Sequence, residues 1–370
     1  MKLTAVMAAM GLALAMLSGC GDSGTGGGSP KPEGGKETPT TPSSAATTGA
    51  GIPTGAGGSG KPQIAVIPKG TTHEFWKSIH AGAVKAMNES AAGHRNGPLV
   101  ELIWRGPLTE NDSEAQIKVV EDMINMHVAA IVLAPNDANA LKNVVEEAAA
   151  KRIPVTIIDS EVNSEKYKSF VATDNEKGGY MGGQQLATLL GGKGKVALLR
   201  YQEGSASTDN REAGFLKAMK ENPAIEVVSS NQYAGATSDS AFTAAERLLA
   251  PYRNADGSLA LDGIFTPNES STFGMLRALQ EMKLAGKIKF VGFDASETLV
   301  KALADGQINA LVLQNPMKMG YLGVKTAIDT IKEKRVEKRI DTGVQLITKE
   351  NMNDPDNKDL LTPDLDKWLK

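Results

Sequence analysis

The chain is poor in the residues that most often announce chemistry. Its 370 residues include one cysteine, Cys20, and four histidines. A single thiol excludes any disulfide within the chain and any cysteine-built metal site. His73, His80, His94 and His127 form neither an HxH nor an HExxH pair, so neither a metal nor another cofactor is expected. Aromatics are sparse, at 5%. Charge is close to balanced, with 40 Lys and Arg against 43 Asp and Glu for a net −3. Without a basic face or a domain-wide positive excess, nucleic acid is not an expected partner. Past the first twenty residues no apolar run is long enough to cross a bilayer.

What is present begins at the N-terminus, with "MKLTAVMAAMGLALAMLSGC". Lys2 supplies a positive start, residues 3–17 an apolar stretch too short to span, and Leu17-Ser18-Gly19-Cys20 an ending that resembles the bacterial lipobox. Residues 1–20 are therefore expected to be a lipoprotein signal peptide, with Cys20 lipidated and anchored in a membrane. Residues 21–60 are almost all Gly, Ser, Thr and Pro, with Ile52 the only large apolar side chain. Such a segment cannot bury enough surface to offset its ordering entropy. As a flexible coil of about 40 residues it reaches roughly 35 Å root-mean-square, the dimensions of a tether. The expectation is a globular part held in the cell envelope, on its periplasmic or extracytoplasmic side.

About 310 residues remain, enough for two ordinary domains. Short apolar runs at 63–67, 100–104, 130–134, 155–158 and 169–172 alternate with amphipathic segments. The alternation continues with runs at 195–199, 226–229, 263–265, 289–292 and 310–313. Continuous apolar strands, each followed by a helical pattern, predict parallel sheets covered on both faces: a doubly wound α/β architecture. In that architecture ligands sit just beyond the carboxyl ends of the strands. Five such ends carry a hydrogen-bonding side chain: Lys69, Asp159, Asn268, Asp294 and Gln314. Asn and Asp are also good helix N-caps, but Lys and Gln are not, so capping does not account for the whole set. The first end leads into "PKGTTHEFWKSIHAGAVKAM", where His73 precedes the adjacent aromatics Phe75 and Trp76.

"FWKSIHAGA", "IPVTIIDS", "TDNEKGG", "NREAGF", "FTPNESSTFGMLRAL", "VGFDAS" and "VLQNPMKMGYLGV" occur in order, and together they resemble the ribose-binding-protein branch of the periplasmic sugar-binding proteins of ABC importers. The resemblance implies two doubly wound parallel-sheet domains joined by a three-strand hinge, with crossings near Thr173, Gln314 and Gly343. It places 61–173 plus 316–345 in an N-terminal lobe, and 174–315 plus 346–370 in a C-terminal lobe and tail. It implies a lipid-anchored binding protein, not an enzyme, that captures a monosaccharide or related polyol and delivers it to a permease and its ATPase as a monomer. The ligand-binding set it implies is Lys69, His73, Phe75, Trp76, Asp159, Asp209, Arg211, Asn268, Asp294 and Gln314. Flat rings pack on the C–H faces of a sugar, and fixed donors and acceptors match its hydroxyls.

The chain also departs from that branch. Asp159-Ser160 stands where ribose receptors carry Asp-Arg, and Tyr233 is the nearest candidate for an aromatic of the second domain. Lys69, Asp159, Asp209, Pro267 and Asp294 resemble the autoinducer-2 receptors, an alternative of the same fold that feeds a signalling partner, although Glu269 breaks that match. A sugar-acting hydrolase built on Asp159 and Asp294 is a weaker alternative, since no nucleophile–base signature accompanies the two acids. "GGKGK" at 191–195 precedes a strand, which makes it a turn and not a phosphate loop. "EGSAST" at 203–208 reads as structural. Trp104 reads as core, with Arg105 and Glu110 near the hinge, and the acidic tail as a surface strap docked by Leu365 and Trp368.

Overall fold

The computed structural model describes residues 60–92 and 97–370. The expected leader, Cys20, the tether up to residue 59 and His94 lie outside the described residues. In chain order the strands begin with β1 (Gln63–Ile67), β2 (Glu101–Trp104), β3 (Ala130–Leu133), β4 (Val155–Ile158) and β5 (Ser169–Ala172). They continue with β6 (Gly194–Arg200), β7 (Ile225–Tyr233), β8 (Gly263–Phe265), β9 (Lys289–Phe293) and β10 (Ala310–Leu313). The last two are β11 (Arg339–Asp341) and β12 (Gln345–Thr348).

The helices begin with α1 (Glu74–Glu89), α2 (Ser113–Asn125), α3 (Lys142–Ala150) and α4 (Asn175–Leu189). Next come α5 (Ala206–Lys220), α6 (Ser238–Leu249), α7 (Glu269–Glu281) and α8 (Glu297–Ala304). The chain ends with α9 (Pro316–Ile331), α10 (Pro355–Leu361) and α11 (Asp366–Leu369).

Two six-stranded sheets result, ordered β11-β5-β4-β3-β1-β2 and β12-β10-β9-β8-β6-β7. All pairs are parallel except β10 with β12. Each sheet with its helices forms a lobe, and the two-sided covering shows in β1. Ile64 and Val66 point to one face and pack with Ile79, Met319 and Val324 of α1 and α9. Ala65 and Ile67 point to the other, with Val120, Met123 and Val145 of α2 and α3. In the second lobe Val196 and Leu198 meet Phe215 and Phe265, while Ala197 and Leu199 meet Leu248 and Leu279. Burying each large aliphatic side chain on these faces contributes roughly 1.5–3 kcal/mol.

The chain passes between the sheets three times: after β5, after β10, and between β11 and β12. Two passages lie side by side, with the Thr173 and Thr342 hydroxyl oxygens 3.3 Å apart and Thr173 donating to the Gly343 carbonyl.

Besides β12, which the sequence reading did not single out and which pairs antiparallel with β10, three elements differ from that reading. β7 runs on to Tyr233, because an edge strand need not be apolar and here it is largely half-buried. The short, polar β11 sits at the other kind of edge and carries no apolar run to read. The tail is anchored by Leu361, 6% exposed in the core of the second lobe, while Leu365 and Trp368 are only half-buried. Beyond Leu361 the tail reaches the first lobe, where α11 packs against α1. The 191–195 segment is a turn from α4 into β6, with Gly191 and Gly192 at positive φ.

Candidate functional site

Between the lobes, at the carboxyl ends of the strands, lies a small hollow of about 30 Å³. Nine of the ten ligand-binding residues expected from sequence line it: Lys69, His73, Phe75, Trp76, Asp159, Arg211, Asn268, Asp294 and Gln314. Asp209 does not. It follows Thr208 on α5, is turned away from the hollow, and faces Arg200 at 3.5 Å with its side chain 41% exposed.

The first lobe contributes the loop after β1 and the start of α1. Phe75 and Trp76 fall in the first turn of α1, both buried, with their rings edge-to-face at 5.0 Å. The Trp76 indole N–H donates to Glu110 Oε1 at 2.8 Å, which fixes the plane of that ring. His73 occupies the N-cap position of α1 but makes no cap bond. Its Nδ1 instead meets the same Glu110 oxygen at 2.6 Å. Burial alone lowers an imidazole, but the Glu110 carboxylate overrides it and lifts His73 to about 9. Burial likewise opposes ionisation of Glu110, and His73 overcomes it, holding that carboxyl at about 2. The two form an ion pair at neutral pH. Glu110 Oε2 accepts from the Tyr201 hydroxyl of the second lobe at 2.5 Å, so this carboxylate spans the cleft.

Lys69 spans it as well. Its ammonium pairs with Asp159 at 3.2 Å and donates to the Ser205 and Ser207 hydroxyls of the second lobe at 3.1 and 3.0 Å. The Ser207 N–H donates to Ser160 Oγ of the first lobe. The 203–208 segment therefore does more than connect: Ser207 and Thr208 line the hollow.

Asp159 and Asp294 occupy matching places, at the ends of β4 and β9, each third in the order of its sheet. Both adopt left-handed backbone, with φ of 63° and 66°. For a residue with a Cβ this costs on the order of 1–3 kcal/mol and persists only where surrounding structure imposes it. Asp294 Oδ1 accepts from Gln314 Nε2 at 2.8 Å and Oδ2 from the Glu269 N–H at 3.1 Å. Burial raises the Asp294 pKa, and Arg211 opposes that.

Arg211 faces Asp294 at 3.9 Å and is held in place by three further contacts. Nε donates to Asn175 Oδ1, Nη1 donates to the Pro267 carbonyl, and the guanidinium lies 4.2 Å from the Phe293 ring. Close packing of α4 on α5 sets its backbone, because a Cβ on Gly179 would collide with the Arg211 carbonyl and one on Gly214 with that of Glu176. Asn268 both caps α7, through Ser271, and lines the hollow. Two buried atoms in this wall have no hydrogen-bond partner: Arg211 Nη2, a donor, and Gln314 Oε1, an acceptor.

Sequence reasoning missed Tyr201 and Glu269 as wall residues, and it weighed Glu110 only for proximity to the hinge. Tyr201 directly follows β6, so the strand-end rule that found Asp159 would have found it. Tyr233, the aromatic considered instead, is 38% exposed beneath Arg200 and outside the hollow. Glu269 adjoins Asn268, and burial pushes its carboxyl up to about 7. Glu110 stands six residues past β2 with no motif around it. Trp104 is half-buried and stacked on His80 at 4.3 Å, and Arg105 pairs with Asp122 away from the hollow. Among the described residues no cluster of His, Cys, Asp and Glu has the makings of a metal site, and no helix is long and apolar enough to cross a membrane.

The family described as the periplasmic binding protein domain matches residues 64–335. The ribose import binding protein of Bacillus subtilis is 32% identical over 240 residues, 65% of this chain and 75% of that protein. A D-ribose/D-allose-binding protein of Pseudomonas aeruginosa is 28% identical over 298 residues, 78% of this chain and 89% of its own. Among solved structures, a carbohydrate transporter solute binding protein of Agrobacterium radiobacter, in complex with D-arabinose, superposes with a TM-score of 0.75 at 32% identity, covering 82% of this chain and 99% of that one.

Proposed function

The chain belongs to the periplasmic binding protein family, in its ribose-binding-like branch, and we propose that it encloses one monosaccharide or related polyol between its lobes and delivers it to an ABC permease. The observation that carries this reading is the unmet pair in the wall, Arg211 Nη2 and Gln314 Oε1. A buried polar group without a partner costs about 1–3 kcal/mol. A hydroxyl is donor and acceptor at once, so the hydroxyls of a sugar can satisfy atoms of both kinds.

The other wall residues fit the same ligand class. Phe75 and Trp76 offer apolar ring surface for sugar C–H groups. Asp159 and Asp294, already tied to Lys69 and Gln314, accept from hydroxyls with the added strength of charged acceptors. The relatives are named as binding proteins, which supports a binder and not a hydrolase, with the two acids as hydrogen-bond acceptors. Closure is a hinge motion in which contacts to both lobes select the closed form. The names of the relatives, ribose, allose and arabinose binders, support pentoses and hexoses as the first candidates. Cys20 carries the lipid in this reading, and the 21–60 segment lets a monomer on the membrane reach its permease.

Isothermal calorimetry against pentoses, hexoses and polyols tests the proposal. One or more should bind with submillimolar affinity. No heat from any member of the panel would remove the sugar reading.

A further inference from the structure

We infer that Glu269 and Glu74 form a reciprocal latch across the cleft, each carboxylate capping the first turn of a helix in the opposite lobe. The inference rests on the two-lobe closure proposed above but not on which ligand is bound.

The first four N–H groups of a helix have no partner within it and are ordinarily satisfied by a cap residue just before the helix. At α1 that residue is His73, and its ring is committed to Glu110, so α1 has no side-chain cap of its own. Glu269, from the second lobe, fills the role. Its Oε2 accepts from the Phe75 N–H at 3.0 Å and its Oε1 from the Glu74 N–H at 3.3 Å. A carboxylate suits the positive end of the helix dipole as well as the two donors. The reverse bond runs the other way. Glu74 Oε2 accepts from the Glu297 N–H, the first of α8, at 3.3 Å.

The two halves differ in weight. The Glu269 carboxylate lies at the wall of the hollow, where water competes poorly, whereas Glu74 is exposed. Glu269 is also tied to the site itself, since its own N–H donates to Asp294. Closing the lobes on Asp294 therefore brings Glu269 onto α1 in the same movement. Opening strips α1 of its only side-chain cap, so the closed form is stabilised by bonds within the protein in addition to those made by a ligand.

Amide hydrogen exchange, read residue by residue by NMR on the full chain with no sugar added, tests this directly. The Glu74 and Phe75 amides have no partner inside their own helix, so any protection they show reports the cross-cleft bond. Loss of a helix cap shifts an equilibrium by roughly 5- to 30-fold. Glu269→Ala should speed exchange at both amides by that factor while leaving mid-helix amides such as Ala83 unchanged. Glu269→Gln, which keeps an acceptor, should restore most of the protection. Glu74→Ala should loosen the Glu297 amide.

The latch is refuted if the Phe75 amide exchanges at the free-peptide rate in the unaltered protein, or if Glu269→Ala leaves it protected. Loss of protection at Ala83 would reveal misfolding, and the Glu269→Gln variant then decides: unchanged protection at Phe75 supports the latch and lost protection overturns it. Because no sugar is present, silence in the calorimetric panel would overturn the proposed ligand class and leave this result standing.

Discussion

Replacing Glu110 with glutamine removes the charge on which His73, Trp76 and Tyr201 converge, and the effect can be worked through in advance. His73 moves from 6.5 to about 9 in the folded protein. Between those values the folded form holds a proton that the unfolded form has released, so unfolding free energy falls as pH rises. At about 1.4 kcal/mol per pH step, the contribution is at most ~3 kcal/mol, complete below 6.5 and lost by about 9. Glu110 moves from 4.5 to about 2, so its contribution is complete above 4.5 and is lost as pH falls through 2. These are two views of one ion pair, and the two contributions do not add. Their overlap is widest between pH 4.5 and 6.5.

In Glu110→Gln the anion is gone, and burial, the largest influence on His73, is opposed only by the more weakly acting Glu269 and Asp294. The variant should therefore be less stable at pH 6 by ~2–4 kcal/mol, with the gap narrowing to ~1 kcal/mol by pH 9. Urea unfolding followed by circular dichroism, at half-unit steps from pH 5 to 9.5, measures both curves. Groups that do not interact with the pair cancel in the difference; Glu269, whose pKa the charge on His73 lowers, stays in it. Parallel curves, with a gap that does not change between pH 6.5 and 9, would refute the reasoning.

Two further substitutions separate binding from folding. Arg211→Lys keeps a positive charge but loses the planar fork that joins Asn175, Pro267 and the unpaired Nη2. For the tightest sugar of the panel, calorimetry should show affinity lowered by about 5- to 150-fold, the equivalent of ~1–3 kcal/mol; unchanged affinity would remove Arg211 from the site. Gly179→Ala forces a methyl onto the Arg211 carbonyl and should cost ~1–3 kcal/mol in urea unfolding, with weaker sugar binding as α5 shifts. Full stability with full affinity would mean that the α4–α5 contact does not position the arginine.

The fold was legible because the interior strands advertise themselves. "QIAVI" and "VTII" are buried on both faces, so they read as apolar runs whatever lies beyond them. β11 was not legible, since an exposed three-residue edge strand needs only backbone groups to pair with β5. The same division runs through the site. Asp159, Asp294 and Gln314 could be named from sequence because a strand end fixes where each points, whatever the other lobe does. Lys69 was found by the same rule, but its partners Ser205 and Ser207 were passed over as structural, because their part exists only once α5 stands opposite the loop after β1.

Glu110 shows the limit most clearly. It lies in an irregular loop, and its importance comes from Tyr201 on the facing lobe and from a histidine that gives up its own helix cap to reach it. That surrendered cap is what leaves the start of α1 open to Glu269. One choice of partner by His73 thus connects the ion pair within the first lobe to the contact that draws the second lobe over it. Local pattern records where side chains begin; which of them meet is decided by closure, and here closure has been built into the polar groups of the cleft.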